Sequence, residues 1–177
     1  MKTIILWRHA KSAWGNAGLA DHERPLNRRG EAAAEVMAAH IAALDPLPDL
    51  ILCSTAVRAR QTLTPLLDRL APAPPTLLET GLYLASEDIL LERLQAVAEE
   101  VATVLMIGHN DGMWLLASDL AGKGPTAALA SLREKFPTGA VAVFTAAIDR
   151  WAKLKLRQWT LVSFVKPRDL VADAGNK

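Results

Sequence analysis

The chain has 177 residues, of which 51% are hydrophobic and 22% are charged, and its formal net charge at pH 7 is +1. This composition is typical of a folded globular protein and argues against a disordered chain, while the near balance of charge argues against non-specific nucleic-acid binding as the main activity. The length predicts one domain over residues 1–177.

The first predicted strand and helix lie near the N-terminus. Residues 3–9 form a short, nearly continuous apolar run, which is typical of a central strand covered on both faces. A helix rich in Ala, Glu and Met is predicted from Asn27, whose side chain can cap it, to about residue 44. Pro46 follows closely, and we expect it to stop the helix.

A second strand and helix follow in the same order. The run DLILCST at residues 49–55 predicts another buried strand, and the helical pattern over residues 56–70 has to accommodate Pro65 as a kink or a break. The segment TLLET at residues 76–80 is a candidate short edge strand.

The later elements continue the alternation. In chain order we predict a helix over residues 86–100, a strand over 101–110, a helix over 111–120, a loop over 121–126, a short helix, and strands over 140–148 and 158–165. Strands that alternate with helices indicate an α/β sandwich with a mostly parallel sheet.

Polar side chains stand where three of the predicted strands end. Arg8 and His9 end the first strand, and Arg58 lies one helical turn beyond the second. His109 ends the third strand. Because ligands of such sheets bind at the carboxyl ends of the strands, we expect two arginines and two histidines to meet at one edge.

These residue types suit phosphate chemistry. Guanidinium groups bind the oxygens of a phosphate through paired, charge-assisted hydrogen bonds. A neutral imidazole can attack phosphorus, and water can then cleave the phosphorylated histidine. A second histidine, if protonated, can stabilise charge on the transferring group, and the scheme requires no metal or other cofactor. Ser12 either adds a hydroxyl group to the phosphate site or begins a loop.

Three ordered motifs resemble those of the histidine phosphatase superfamily. LWRHAKSAW resembles the Arg-His-Gly signature, STAVRARQT resembles the Ser-Pro-x-x-Arg-Ala-x-Gln-Thr segment, and IGHN resembles the later Gly-His-Asn motif. The segments ERPLNRRG and LYLAS and the ending FPTGAVAVF…FVKPRDL are similar to the small SixA-type branch, often described as phosphohistidine phosphatases. The resemblance covers almost the whole chain.

The resemblance implies a three-layer α/β/α sandwich of the phosphoglycerate mutase-like type. It also implies that His9 is the nucleophile, that Arg8 and Arg58 bind phosphate, and that His109 is the second histidine of the pocket. Ala10 stands where the family signature usually has Gly, which is harmless if that position does not require a positive φ.

The resemblance does not assign the general acid that protonates the leaving group. Larger members of the family use a glutamate between the second and third motifs, and Glu79 lies in that region without a motif around it. SixA-type members are described without this acid. A phosphoramidate leaving group can be protonated on the imidazole itself, so the absence fits phosphohistidine better than an alkyl phosphate ester.

The resemblance therefore predicts a metal-independent phosphatase that acts on phosphohistidine in a signalling or phosphotransfer protein. A phosphatase of a small phosphorylated metabolite or sugar, and a phosphate-dependent binding module without turnover, stay open as alternatives. No nucleic-acid or membrane partner is expected. Cys53 is the only cysteine, so nothing requires an oxidising compartment and we expect a cytoplasmic protein.

Overall fold

The fold is built on one mixed sheet, whose described strands come from residues 2 to 165. A computed structural model describes residues 1–15 and 18–174, with side chains as far as residue 171. Within this part of the chain the strands are β1 (Lys2–Arg8), β2 (Leu50–Ser54), β3 (Thr76–Glu79), β4 (Thr103–Gly108), β5 (Ala121–Lys123), β6 (Val141–Ala146) and β7 (Trp159–Val165). Their order in the sheet is β3-β2-β4-β1-β6-β7-β5.

Six α-helices accompany the described strands. They are α1 (Arg28–Ala42), α2 (Val57–Leu67), α3 (Glu87–Gln95), α4 (Gly112–Leu120), α5 (Thr126–Glu134) and α6 (Pro167–Ala174). Short 3₁₀ helices lie at Asp21–Glu23, Thr80–Leu82 and Trp151–Lys153. None of the helices in the described part of the chain is long and apolar enough to cross a membrane.

The sheet is mostly parallel, as the sequence predicts. Strand β1 pairs in parallel with β4, which pairs in parallel with β2. Strand β6 pairs antiparallel with both β1 and β7, and it accounts for the mixed character of the described sheet. The three strands that carry the motifs are therefore adjacent, in the order β2-β4-β1.

Alternate residues of the central strands point into two separate cores. Ile4 and Leu6 of β1 lie in the core formed with α3, α4 and α5, whereas Ile5 and Trp7 lie in the core formed with α1 and α2. This alternation follows from the period of two in a strand, and it explains why both kinds of position are apolar. The result is the predicted three-layer α/β/α sandwich.

The start of α1 lies against the segment that follows β1. The Asn27 side chain accepts a hydrogen bond from the Gly30 backbone N–H, which confirms the predicted cap. A Cβ atom added at Gly30 would lie 2.0 Å from the Lys11 carbonyl oxygen. Only glycine permits this close approach, which holds α1 against the residues just after His9.

Some element boundaries differ from the predictions. Helix α3 ends at Gln95 rather than near residue 100. The segment predicted as the loop 121–126 contains β5, which adds to the sheet edge by pairing with β7. Helix α6 was not predicted. Pro65 lies inside α2, close to its C-terminal end, and does not break it.

Candidate active site

A pocket of about 400 Å³ lies at the carboxyl ends of β1, β2 and β4. We call it the strand-end pocket. Its lining residues are Arg8, His9, Lys11, Ser12, Trp14, Asp21, Arg24, Arg58, Leu84, His109, Asn110 and Thr138. The structure thus brings together the two arginines and two histidines that the sequence places at three different strand ends.

His9 lies at the base of this pocket, with 7% of its surface exposed. Its Nδ1 is 2.7 Å from the Ala10 carbonyl oxygen, an acceptor, so Nδ1 carries the proton and donates it there. The Nε2 atom then holds the lone pair, and it accepts a hydrogen bond of 3.3 Å from Arg58 Nε. This arrangement leaves Nε2 as the unprotonated nitrogen of a neutral imidazole, which a nucleophile requires.

The charge state of His9 follows from burial and from its cationic neighbours. Burial lowers the pKa of His9 to about 4, and the positive charges of Arg58, Arg8 and Arg24 act in the same direction. The hydrogen bond to Ala10 opposes this shift without reversing it. The ring is therefore neutral around pH 7.

Arg58 is almost fully buried and is held by a neighbouring acidic residue. Its Nη1 donates to the Asp21 carbonyl oxygen at 2.6 Å, and its Nη2 donates to Asp21 Oδ2 at 2.9 Å. With Nε on His9, all three guanidinium nitrogens are engaged. This buried fork is fixed in position beside the candidate nucleophile.

Arg8 approaches the pocket from the end of β1. Its Nη1 donates to the Phe136 carbonyl oxygen at 2.7 Å, while its buried Nε has no hydrogen-bond partner among the described residues. Burial lowers the pKa of this guanidinium, although Asp111 opposes the shift. A buried N–H group without a partner costs free energy that an anionic oxygen can offset.

His109 faces His9, with the ring centroids 5.0 Å apart. Its Nε2 lies 2.8 Å from Ser54 Oγ, which also accepts the Ala56 backbone N–H at 3.3 Å. The Ser54 hydroxyl proton is then available for His109 Nε2, which leaves the His109 proton on Nδ1. That Nδ1 is buried and has no hydrogen-bond partner within the described ranges.

The second histidine is also neutral. Burial lowers the pKa of His109 to about 3, and His9, Arg58 and Arg8 add to the shift while Asp21 opposes it. His109 is therefore a neutral N–H donor here, and not the imidazolium considered as one possibility from the sequence. A bound phosphate dianion would raise this pKa.

Asp21, which none of the motifs predicts, also lines the pocket. Its Oδ1 accepts from Arg24 Nη2 at 2.7 Å, its Oδ2 pairs with Arg58, and the Tyr83 hydroxyl donates to Oδ2 at 2.6 Å. The Tyr83 hydrogen bond and those from Arg24 and Arg58 hold the pKa of Asp21 well below its usual range. The only signal in the sequence is the charged run DHER just before the helix cap.

Ser12 and Trp14 position Arg24. The Ser12 hydroxyl accepts a hydrogen bond from Arg24 Nη1, and the Trp14 ring lies 3.9 Å from the Arg24 guanidinium carbon. Ser12 is buried, whereas 78% of Trp14 is exposed at the mouth of the pocket. The Ser12 hydroxyl is thus already bound to an arginine of the pocket.

Glu79 is a different case, because the structure places it outside the pocket. Glu79 lies at the end of β3, and its carboxylate forms a bidentate ion pair with Arg93. Arg93 Nε donates to Oε2 at 2.8 Å, and Arg93 Nη2 donates to Oε1 at 2.7 Å. It is not among the residues that line the pocket. This ion pair and the position outside the pocket argue against Glu79 as the general acid, and its role stays a prediction to be tested.

The residues described here include no group of three or more His, Cys, Asp or Glu side chains arranged to hold a metal ion. Cys53 is buried in β2, and burial raises the pKa of its thiol to about 12. Its thiol is therefore protonated and unreactive.

Comparison with known proteins identifies a family and a similar protein. The family model described as the histidine phosphatase superfamily (branch 1) matches residues 4–82. The uncharacterized protein MT1313 of Mycobacterium tuberculosis (strain CDC 1551 / Oshkosh) is 39% identical over 163 residues, which cover 91% of this chain and 99% of that protein.

Solved structures give the same result. The crystal structure of the putative phosphohistidine phosphatase SixA from Agrobacterium tumefaciens matches with a TM-score of 0.79 and 32% identity, covering 94% of this chain and 98% of that chain. The protein histidine phosphatase SixA complexed with tungstate has a TM-score of 0.73 and 25% identity, covering 95% and 99% of the two chains.

The fold and these matches define a member of the histidine phosphatase superfamily, and the chain belongs to that family. Within it, the chain belongs to the SixA-type branch and is a phosphatase.

Proposed function

We propose that this protein is a metal-independent phosphatase that removes phosphate from phosphohistidine on a signalling or phosphotransfer protein. One observation carries the choice of substrate. Asp21 supplies the only carboxyl group among the described residues that line the strand-end pocket, and three side chains hold it ionised. Among the described residues, the pocket thus combines a candidate nucleophile and cationic side chains with no carboxylic acid able to protonate a poor leaving group.

The first chemical step uses His9. Its Nε2 lone pair attacks phosphorus, a new P–N bond forms, and the bond between phosphorus and the substrate imidazole breaks with its electron pair remaining on the leaving nitrogen. The hydrogen bond from His9 Nδ1 to the Ala10 carbonyl stabilises the positive charge that develops on the attacking ring.

The second step restores the enzyme. Water attacks phosphorus of the phosphorylated His9, the P–Nε2 bond breaks, and its electron pair returns to Nε2, which leaves the ring neutral with its proton on Nδ1. Inorganic phosphate leaves as H₂PO₄⁻ with the oxygen and both protons of the water. Arg8, Arg58 and the His109 N–H are positioned to bind the non-bridging oxygens in both steps.

The leaving group decides between substrate classes. An alkoxide leaving from a phosphate ester requires a proton donor, which the ionised Asp21 cannot be. A phosphorylated imidazole protonated on its other nitrogen leaves as neutral imidazole without help from the enzyme. The pocket chemistry therefore favours a P–N bond over a P–O bond.

The mouth of the pocket supports a protein substrate. Trp14 and Leu84 line the pocket and are both largely exposed, so an approaching protein surface would cover two apolar side chains. A related SixA structure is complexed with tungstate, a tetrahedral oxyanion of the same shape as phosphate. As part of the same proposal, residues 1–177 form one histidine phosphatase domain, located in the cytoplasm.

A small phosphorylated metabolite or sugar is the second candidate. The pocket volume of about 400 Å³ lies within the usual range of about 300–1,000 Å³ for small-molecule sites. This candidate keeps the same nucleophile and the same phosphate-binding residues, and it differs from the first only in the leaving group.

The deciding experiment measures phosphate release by the purified protein in EDTA. The substrates are a histidine-phosphorylated protein domain, a panel of sugar phosphates and a phosphoserine peptide, and His9→Ala is the control. We expect release chiefly from phosphohistidine and none with His9→Ala. Faster turnover of sugar phosphates would move the substrate to metabolism, and no turnover of any substrate would identify a binding module.

A further inference from the structure

A second and larger cavity opens beside the strand-end pocket. Its volume is about 890 Å³, and we call it the basic groove. It is lined by Lys11, Arg29, Ala32, Ala33, Val36, Lys135, Pro137, Thr138, Lys166, Pro167, Arg168 and Val171. Lys11 and Thr138 line both cavities, so the groove is continuous with the proposed site of reaction.

The walls of the groove are apolar faces of two helices. Ala32, Ala33 and Val36 lie on one face of α1, at helical spacing from Arg29. Pro167 and Val171 form the facing wall on α6, and Val171 is largely exposed. An apolar channel between two helices can accept the apolar side of a third helix.

Positive charge surrounds these walls. The five charged residues that line the groove are all basic: Lys11, Arg29, Lys135, Lys166 and Arg168. Among the described residues, ion pairs engage only two of these side chains: Glu134 lies 3.5 Å from Lys135 Nζ, and Asp169 lies 3.8 Å from Arg168 Nε. Asp169 Oδ2 also accepts the Lys166 backbone N–H at 2.9 Å. Among the described residues, no ion pair engages Lys11 or Arg29.

Lys166 is the most unusual of the five, because only 9% of its surface is exposed. Its Nζ donates to the Ser131 hydroxyl and lies 5.6 Å from the Phe164 ring centroid. No carboxylate of the described chain pairs with this ammonium group. A buried cation with a neutral partner is electrostatically unbalanced, and an incoming anionic group can compensate it.

We propose that the basic groove binds an acidic amphipathic helix of the phosphorylated protein, next to the phosphohistidine that enters the strand-end pocket. The helix places apolar side chains between α1 and α6 and carboxylates against the basic rim. This inference rests on the proposed function for the nature of the partner. Charge complementarity supports the proposal, because an acidic helix suits the five basic residues of the groove. The chain as a whole has a net charge of only +1, so this positive charge is concentrated in the groove.

The test uses two phosphohistidine peptides of equal length. In the first peptide the phosphohistidine is followed by a helical segment with Glu on one face and Leu on the other, and in the second each Glu is replaced by Gln. We expect kcat/KM for the acidic peptide to exceed that for the neutral one by about tenfold at low salt, mainly through KM, with the difference shrinking as salt rises.

The variant protein is the double substitution Arg29→Glu and Arg168→Glu. It should lose the preference for the acidic peptide while hydrolysing the neutral peptide and free phosphoramidate at the wild-type rate. Arg150→Glu is the matched control, because Arg150 is exposed beyond the end of β6 and away from both cavities. A preference that is absent in the wild type, or unchanged in the double variant, would overturn the proposal.

Binding of the unphosphorylated acidic peptide is measured separately by fluorescence anisotropy. Binding of the acidic peptide without hydrolysis of either phosphorylated peptide would overturn the proposed function and leave the groove proposal standing. Hydrolysis without any preference in binding would overturn the groove proposal and leave the proposed function standing. A second copy of this chain is the competing occupant. A concentration-dependent dimer in light scattering that the double variant dissociates would contradict the helix-docking proposal.

Discussion

The Nε atom of Arg58 donates a hydrogen bond to the Nε2 atom of His9 at 3.3 Å. The same guanidinium therefore faces the lone pair of the proposed nucleophile and belongs to the group that would bind phosphate. Its charge disfavours protonation of His9, and its hydrogen-bond donors can transfer from the ring nitrogen to phosphate oxygens as substrate enters. In the proposed mechanism, Arg58 therefore couples attack by His9 to phosphate binding.

The first prediction concerns the titration of the pocket histidines. Because burial and the nearby arginines lower their pKa values, His9 should titrate near pH 4 and His109 near pH 3, both below the ordinary value of 6.5. Proton NMR of the four histidine rings against pH measures this directly. Arg58→Gln removes a positive charge that lowers both values, so both midpoints should rise. A midpoint near 6.5 for His9 in the wild type would contradict the assignment.

The second prediction concerns Asp21, which anchors Arg24 and Arg58 through ion pairs of 2.7 Å and 2.9 Å. Asp21→Asn should lower kcat by about tenfold, since the two guanidinium groups lose their orientation. KM should not rise, because the pocket gains net positive charge. Steady-state kinetics separates the two effects.

Tyr83→Phe is the matched control for Asp21→Asn. It removes only the hydroxyl that donates to Asp21 Oδ2 and leaves both ion pairs in place. We therefore expect kcat to fall by no more than about two- to threefold, which corresponds to about 0.5 kcal/mol in the activation free energy. An Asp21→Asn enzyme with the wild-type kcat would show that the carboxylate does not position the arginines.

The third prediction concerns Glu79, whose carboxylate is bound by Arg93. Glu79→Gln should leave kcat on phosphohistidine unchanged and lower the free energy of unfolding by at most about 1 kcal/mol, as expected for a partly exposed ion pair. Kinetics and urea denaturation measure the two quantities. A loss of kcat at constant stability would return Glu79 to the role of general acid.

The fourth prediction tests the packing that holds α1 against the residues just after His9. Gly30→Ala would place Cβ 2.0 Å from the Lys11 carbonyl oxygen, so the helix or the segment after His9 has to shift. We expect a loss of stability of about 1–3 kcal/mol together with reduced kcat. Gly81→Ala is the control, because its Cβ would meet nothing within 4 Å. Equal behaviour of the two variants would show that the close approach is unimportant.

Much of the fold could be predicted because the central strands are unambiguous. Strands β1, β2 and β4 are buried on both faces, so their sequences are continuous apolar runs, and Asn27 marks the start of α1 by its side chain. Strand β5 was missed because Ala, Gly and Lys have no strand preference, and only pairing with β7 makes these residues extended.

The residues of the strand-end pocket likewise fall into those that the sequence predicts and those that it does not. His9, Arg8, Arg58 and His109 could be placed because each lies at or just after a strand end. Asp21 could not be placed, since its segment has no periodic pattern and its partners Arg58 and Tyr83 are 37 and 62 residues away in the chain. The ion pair of Glu79 with Arg93 is likewise a tertiary contact that no local sequence pattern predicts.

The most direct test of the account is the covalent state of His9 during turnover. The protein is mixed with a substrate labelled with ³²P, quenched in alkali within milliseconds, digested and mapped by mass spectrometry. We expect alkali-stable, acid-labile phosphate on the His9 peptide during turnover and none in His9→Gln, in which turnover falls at least about a thousandfold. Turnover without a labelled His9, or a label on another residue, would contradict the mechanism.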